Sequence, residues 1–184
     1  MEHDVSIEAL RARLPEYARD LGTNLALLID DPSLDDEARW GCFVASACAA
    51  GEPETLQAIN AAATKAGLTP EANLEARRAA AMMAMTNVYF NALHLMKAPE
   101  YKDLPSRLRL NRSRGPETAY GLWCVAVSAI NGCGDCLDKH EAELRRRGVE
   151  PIGVQMALRI AAVVSAIART LSAEAALPPQ NSDR

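Results

Sequence analysis

Aromatic residues are scarce in this chain. Phe, Trp and Tyr make up 4% of its 184 residues, although 49% are hydrophobic. The apolar mass is therefore mostly Ala, Leu, Val, Ile and Met. That mixture packs helices closely and lacks the β-branched and aromatic surplus of a sandwich or barrel. Surplus positive charge is missing too. Twenty basic against 24 acidic residues give a formal net charge of -4, which disfavours a broad electrostatic footprint for nucleic acid. No uncharged apolar run reaches 18 residues, so no transmembrane helix is expected. The start, MEHDVSIEALRARLPEY, has neither the cationic opening nor the apolar block of a secretory signal. No Gly-rich phosphate loop, dinucleotide fingerprint or nucleophile elbow occurs, so no bound nucleotide is expected. The expected compartment is the cytoplasm. There the five cysteines, Cys42, Cys48, Cys124, Cys133 and Cys136, are expected mostly reduced, and a close pair reads as catalytic or metal-binding rather than as a structural staple.

What is present is helical periodicity. Ile7, Leu10, Leu14, Tyr17, Leu21, Leu25 and Leu28 step by three or four, with Pro15 predicting a break and restart. Ser33 with Asp36 resembles a capping box for a helix ending at Gly51. A helix from about Pro53 to Gly67 follows. Thr69-Pro70 then opens another, expected to reach about Lys97. Residues 98–115 form the longest irregular piece and carry Arg107, Arg109, Arg112 and Arg114. Pro116 predicts a helix through Trp123 and Val127, stopped at Asn131-Gly132. A helix from about Gly134 to Arg147 ends at Gly148, and Pro151 opens the last one. The tail, 178–184, is expected to be disordered.

The chain also repeats itself. Trp40 precedes Phe-Val-Ala-Ser-Ala and Trp123 shortly precedes Val-Ala-Val-Ser-Ala. Gly67 and Thr69-Pro70 answer Gly148 and Glu150-Pro151, and the run Ala80–Val88 answers Ala161–Ala168. An offset of 81 to 83 residues suggests one all-α domain with no sheet, built as two pseudo-symmetric helical halves. The first half spans about 1–97, a linker about 98–115, and the second half about 116–177.

The segment Ala129–His140 carries the chemistry. It contains Cys133-x-x-Cys136 and, four residues on, His140. Gly132 ends one helix and the next begins at once, which puts both cysteines in a first helical turn. Cysteines three apart on a helix face one side and can form a disulfide. The helix start favours a thiolate there. His140 sits one turn from Cys136, where an imidazole can take its proton. Three readings compete: a redox dithiol, a zinc site using Cys133, Cys136 and His140, and two inert buried cysteines. A structural zinc needs a fourth ligand, and no second Cys-x-x-Cys or His-x-x-x-His exists; His3 and His94 are isolated. The redox reading fits best.

Leu122–Glu150 resembles the active-site region of the alkyl hydroperoxide reductase AhpD family. The opening Ile7–Leu25, Trp40-Gly41 with Ala45-Ser46-Ala47, and Met85-Thr86-Asn87-Val88 are similar to that family as well. The resemblance implies an AhpD-like all-helical fold, usually a homotrimer, with antioxidant activity toward alkyl hydroperoxides. It further implies reduction of the partner peroxiredoxin AhpC. Electrons would come from the lipoyl dithiol of a dihydrolipoamide acyltransferase, regenerated by a flavin-dependent dehydrogenase. No bound cofactor or metal is implied. Carried over, Cys136 is the peroxidatic cysteine passing through a sulfenic acid, Cys133 the resolving cysteine and proton donor, and His140 a proton relay, with a Cys133–Cys136 redox disulfide.

Two departures stand out. The family carries a relay Glu two residues before the Trp of this helix, and here that position is Gly121. Glu117, one turn earlier, is a weak substitute candidate. The family often has a His between the cysteines, whereas Asp135 lies there and its charge should oppose a nearby thiolate. Both predict weaker peroxidase chemistry and favour an alternative, a disulfide carrier with little direct peroxidase activity. A lactone decarboxylase or isomerase is a third, weaker reading, since that chemistry needs no cysteine pair. Cys42 and Cys48 read as small core residues, and Cys124 as packing. Met82, Met83, Met85 and Met96 read as core or interface, His94 as structural, the Arg107–Arg114 cluster as a solvated loop, and Arg145–Arg147 as a favourable helix end.

Overall fold

The computed structural model describes residues 5–109 and 117–177, and every regular element among them is helical. In chain order these are α1 (Ile7–Ala12), α2 (Arg19–Ile29), α3 (Asp36–Ala50), α4 (Pro53–Lys65), α5 (Pro70–Leu95), α6 (Glu117–Ile130), α7 (Gly134–Arg146) and α8 (Pro151–Ala176). Short 3-10 turns lie at Glu16–Ala18 and Pro99–Tyr101. The expectations for His3, Arg112, Arg114, Pro116 and the tail fall outside the described residues.

Local chemistry explains the boundaries. Pro15 has no N–H to continue α1, and the chain passes through the first 3-10 turn before α2 begins. The expected Ser33–Asp36 box does not form. Asp35 caps α3 instead, its Oδ1 accepting from the Ala38 N–H at 2.8 Å, while the Ser33 N–H turns to Asp31 Oδ1 at 2.8 Å. Thr69 caps α5 as expected, accepting from the Ala72 N–H at 3.1 Å. That helix stops at Leu95 rather than Lys97, because Met96 turns to extended backbone.

The helices α3, α4 and α5 are 15, 13 and 26 residues long, and α6, α7 and α8 are 14, 13 and 26. Their packing follows the same order. Helices α3 and α6 lie against each other, and each also touches α5 and α8; α4 rests on α3 as α7 rests on α6. Both α4 and α7 end with the same backbone pattern, Leu68 N–H to Ala63 O at 3.0 Å and Val149 N–H to Leu144 O at 3.0 Å. At the centre the Trp123 indole is fully buried, and its Nε1–H donates to the Ala38 carbonyl at 3.0 Å. Helix α1 covers α4, and α2 packs along α8.

Among the described residues α8 alone is long and apolar enough to cross a membrane, with mean hydropathy 1.7 over its best 18-residue window. Uncharged runs are shorter because Arg159 and Arg169 interrupt it. Half of that window is buried inside the domain, where Met156, Ile160, Val164 and Ile167 have no exposure, so here the helix serves as a core element.

Candidate active site

The α6–α7 connection is only Asn131, Gly132 and Cys133. Gly132 takes φ 68°, a left-handed conformation that side chains disfavour. This lets the Gly132 N–H reach the Ala129 carbonyl at 3.2 Å and the Cys133 N–H reach the Ser128 carbonyl at 3.0 Å. Cys133 is thereby both the last residue closing α6 and the N-cap of α7, where its own carbonyl accepts the Leu137 N–H at 3.0 Å. No side-chain hydrogen bond caps this helix end.

Cys133 and Cys136 are joined by a disulfide, with their Cα atoms 5.3 Å apart. Exposure separates the two. Cys133 has none, whereas Cys136 keeps 6%. An incoming thiol therefore meets Cys136 first. His140 lies one turn beyond Cys136 on α7, half-buried, and has no hydrogen-bond partner among the described residues. Burial, then the Lys139 charge, pushes its pKa down, so the imidazole is neutral at neutral pH and can accept a proton.

Asp135 does not stand as a bare negative charge. Lys139 Nζ lies 2.7 Å from its Oδ2, and that hydrogen bond, aided by the charges of Lys139, His94 and Lys102, holds the carboxyl below the usual carboxylate range. The ammonium also sits over the Phe90 ring, 5.3 Å from its centroid. The Asp135 carboxylate expected to oppose a thiolate thus has the Lys139 ammonium paired against it. His94, expected to be structural, is instead exposed on the last turn of α5.

Gly121 faces α7. A Cβ there would come within 2.9 Å of Leu144 Cδ2, so Leu144 fills part of the space that a side chain would take. Glu117 is no substitute relay. It pairs with Arg147, which also binds Glu143, at the far end of α7. Eleven residues of helix separate Cys136 from Arg147, roughly 16 Å.

The other sequence candidates have structural settings. Cys42 and Cys124 are buried free thiols; burial pushes Cys124 up to about 12 and Cys42 higher still, so neither ionises. Cys48 is half-buried rather than fully in the core and borders a shallow groove with Arg77, Ala81 and Asn131. Met83 is buried, Met82 and Met85 are partly covered, and Met96 is exposed. Arg107 and Arg109 are exposed, and Arg145, Arg146 and Arg147 are tied into ion pairs at the α7 C-terminus. Among the described residues no group of three or more His, Cys, Asp or Glu is arranged to hold a metal ion.

One cluster escaped the sequence reading. Asn87, 1% exposed on α5, donates from Nδ2 to Ser128 Oγ at 3.1 Å and accepts from Asn131 Nδ2 at 2.9 Å. Thr86, Asn87 and Ser128 all turn a donor toward the Met83 sulfur, at 3.8, 3.7 and 3.6 Å. The signal available was an Asn inside an Ala- and Met-rich helix, where an apolar residue would be the default.

The chain is similar over nearly all its length to proteins named alkyl hydroperoxide reductase AhpD. The protein of that name from Caulobacter vibrioides is 74% identical over 182 residues, covering 96% of this chain and 98% of that one. Those from Maricaulis maris and Hyphomonas neptunium are 51% and 47% identical, covering 92% and 94% of this chain and 99% and 97% of theirs. The chain belongs to the AhpD family. Residues 107–178, the part containing the dithiol, also match the model of the carboxymuconolactone decarboxylase family. In this AhpD-family chain the dithiol therefore sits in the half shared with that wider group.

Proposed function

We propose that the chain is a thiol-dependent alkyl hydroperoxide reductase with an antioxidant role, working through Cys133 and Cys136. The observation that carries this reading is the disulfide itself, placed at an uncapped helix start beside a neutral His140, in a chain whose relatives are named for hydroperoxide reduction.

The cycle balances as follows. His140 takes the Cys136 proton. The Cys136 thiolate attacks the terminal peroxide oxygen, the O–O bond breaks, and the alkoxide leaves as alcohol with the proton of Cys133. Cys136 is then a sulfenic acid and Cys133 a thiolate. Cys133 attacks the Cys136 sulfur, hydroxide departs, and the proton held by His140 converts it to water. The disulfide is reduced by two electrons from a lipoyl dithiol, whose first thiolate attacks Cys136, the less buried of the two, and expels Cys133. A lipoylated acyltransferase is the proposed donor and the peroxiredoxin AhpC a second electron acceptor. The compartment proposed is the cytoplasm. A homotrimer is proposed too, supported by an exposed apolar stripe on α5 through Leu74, Ala81, Ala84, Val88 and Leu95.

The second reading, a disulfide carrier with little direct peroxidase activity, is favoured by Gly121, which supplies no carboxylate and has Leu144 packed where its Cβ would go. Thiol–disulfide exchange needs no such relay. Peptide-mapped mass spectrometry of reduced protein after one equivalent of alkyl hydroperoxide separates the two. A new Cys133–Cys136 disulfide, with Cys42, Cys48 and Cys124 free, supports the peroxidase. Free thiols at both positions leave the carrier reading in its place.

A further inference from the structure

The two halves of the fold treat the same position differently. In the repeated units α3–α5 and α6–α8, the middle helix α4 has Glu52 as its N-cap and the middle helix α7 has Cys133. The Glu52 carboxylate accepts from the Glu54 N–H at 3.0 Å and the Thr55 N–H at 2.7 Å, so an anion occupies that helix start. The equivalent N–H groups of α7 belong to Asp135 and Cys136, and no side chain caps them. The anion this site can acquire on reduction is the thiolate of Cys133 itself.

Holding a thiolate there requires the α6–α7 turn to stay in place, and the Asn87 cluster supplies that hold. Asn87 is on α5, outside the turn, and binds it at two points: the Ser128 hydroxyl on the last turn of α6 and the Asn131 amide in the turn. The backbone carbonyl of the same Ser128 accepts the Cys133 N–H. Among the described residues the first half has no such clamp. Ser46, at the position corresponding to Ser128, is fully buried with its hydroxyl unpartnered, and the capping Glu52 carboxylate is held within its own helix, where it also accepts the Thr55 hydroxyl at 2.6 Å. A satisfied polar cluster at one α-helical turn, against an unsatisfied serine at the other, marks the dithiol turn as the one whose geometry is controlled.

We infer that Asn87 is a positioning residue of the dithiol: by tying Ser128 and Asn131 to α5 it keeps Cys133 at the N-cap of α7, where its thiolate is stabilised, and so sets the dithiol–disulfide balance. The inference rests on the dithiol reading above and deepens it. A stabilised Cys133 thiolate makes Cys133 a ready proton donor, a nucleophile toward the Cys136 sulfenic acid, and a good leaving group when a donor dithiol attacks Cys136.

The test uses the full chain equilibrated in dithiothreitol redox buffers, quenched by alkylation and read by peptide mass. Dithiothreitol gives two electrons to the Cys133–Cys136 disulfide and becomes its own cyclic disulfide. Asn87→Ala and Asn131→Ala should each shift this equilibrium toward the protein disulfide by about fivefold, the size of one lost N-cap interaction. In a Cys136→Ser background, each should also raise the pH at which Cys133 alkylation reaches half its maximum rate. Ser46→Ala should move neither readout. Asn131 is exposed, so its variant folds even where loss of the buried Asn87 amide does not. A purely structural role would lower the melting temperature and leave both readouts at wild-type values, which overturns the inference. If wild-type protein fails to cycle in the same buffers, the dithiol reading falls first, and the inference with it.

Discussion

The Trp123 indole occupies the place where a side chain on Gly41 would go. A Cβ built on Gly41 overlaps three ring atoms, so α3 and α6 meet through a glycine on one side and a tryptophan on the other. This contact joins the centres of the two halves and fixes α6, the helix that leads into the dithiol turn.

Gly41→Ala is therefore expected to destabilise the fold by about 1–3 kcal/mol, since a rigid buried ring must move. Trp123→Ala should cost about 3–5 kcal/mol through the cavity it leaves and the loss of its bond to the Ala38 carbonyl. Urea denaturation followed by circular dichroism measures both. A Gly41→Ala midpoint equal to wild type would show that the α3–α6 contact is looser than described.

Cys136→Ser should abolish hydroperoxide consumption, and Cys42→Ser, at a thiol buried away from the site, should not. In Cys133→Ser the cycle should halt at the Cys136 sulfenic acid, which a dimedone probe traps and mass spectrometry locates. Equal peroxide turnover in Cys136→Ser and Cys42→Ser would remove the dithiol from the reaction.

Gly121→Glu should restore a carboxylate near His140, yet its Cβ meets Leu144 Cδ2 at 2.9 Å and Leu144 is 1% exposed. The variant should raise peroxide turnover, leave disulfide exchange little changed and lose about 1–3 kcal/mol of stability. Unchanged peroxide turnover in protein shown to be folded would mean that the missing carboxylate does not limit the reaction.

The pH dependence follows from His140. Its folded pKa lies below the ordinary imidazole value, first through burial and then through the Lys139 charge. The unfolded chain therefore binds the proton more readily. His140 stabilises the fold fully above its unfolded value of about 6.5, and that stability is lost as pH falls through the folded pKa. The acid limb of peroxide turnover should lie below pH ~6.5 and move upward in Lys139→Met, which removes the neighbouring positive charge. Titration of the His140 ring protons by NMR reads the same shift directly. An acid limb unmoved by Lys139→Met would assign it to another group.

Much of this was written in local patterns. Apolar steps of three and four, Thr69-Pro70, Pro151 and the Gly132 stop specify helices through neighbours a few residues apart, and their boundaries fell within a residue or two. Cys133-x-x-Cys136 with His140 is likewise a local arrangement, fixed once a helix begins at Gly134. Where two local options competed, sequence order did not decide. Asp35 rather than Ser33 became the α3 cap, its Oδ1 accepting from the Ala38 N–H, while the Ser33 N–H is held by Asp31.

By itself, then, the sequence determined the helices, their repeat and the thiol pair, because each depends on contacts within about one helical turn. Only the tertiary structure decided which long-range partners surround that pair. It set the Phe90 ring under Lys139, sent Glu117 to Arg147, put Leu144 against Gly121, and brought Asn87 onto Ser128 and Asn131 across more than 40 residues. Such contacts arise from how whole helices pack, and no periodicity in one segment encodes what another segment brings to it.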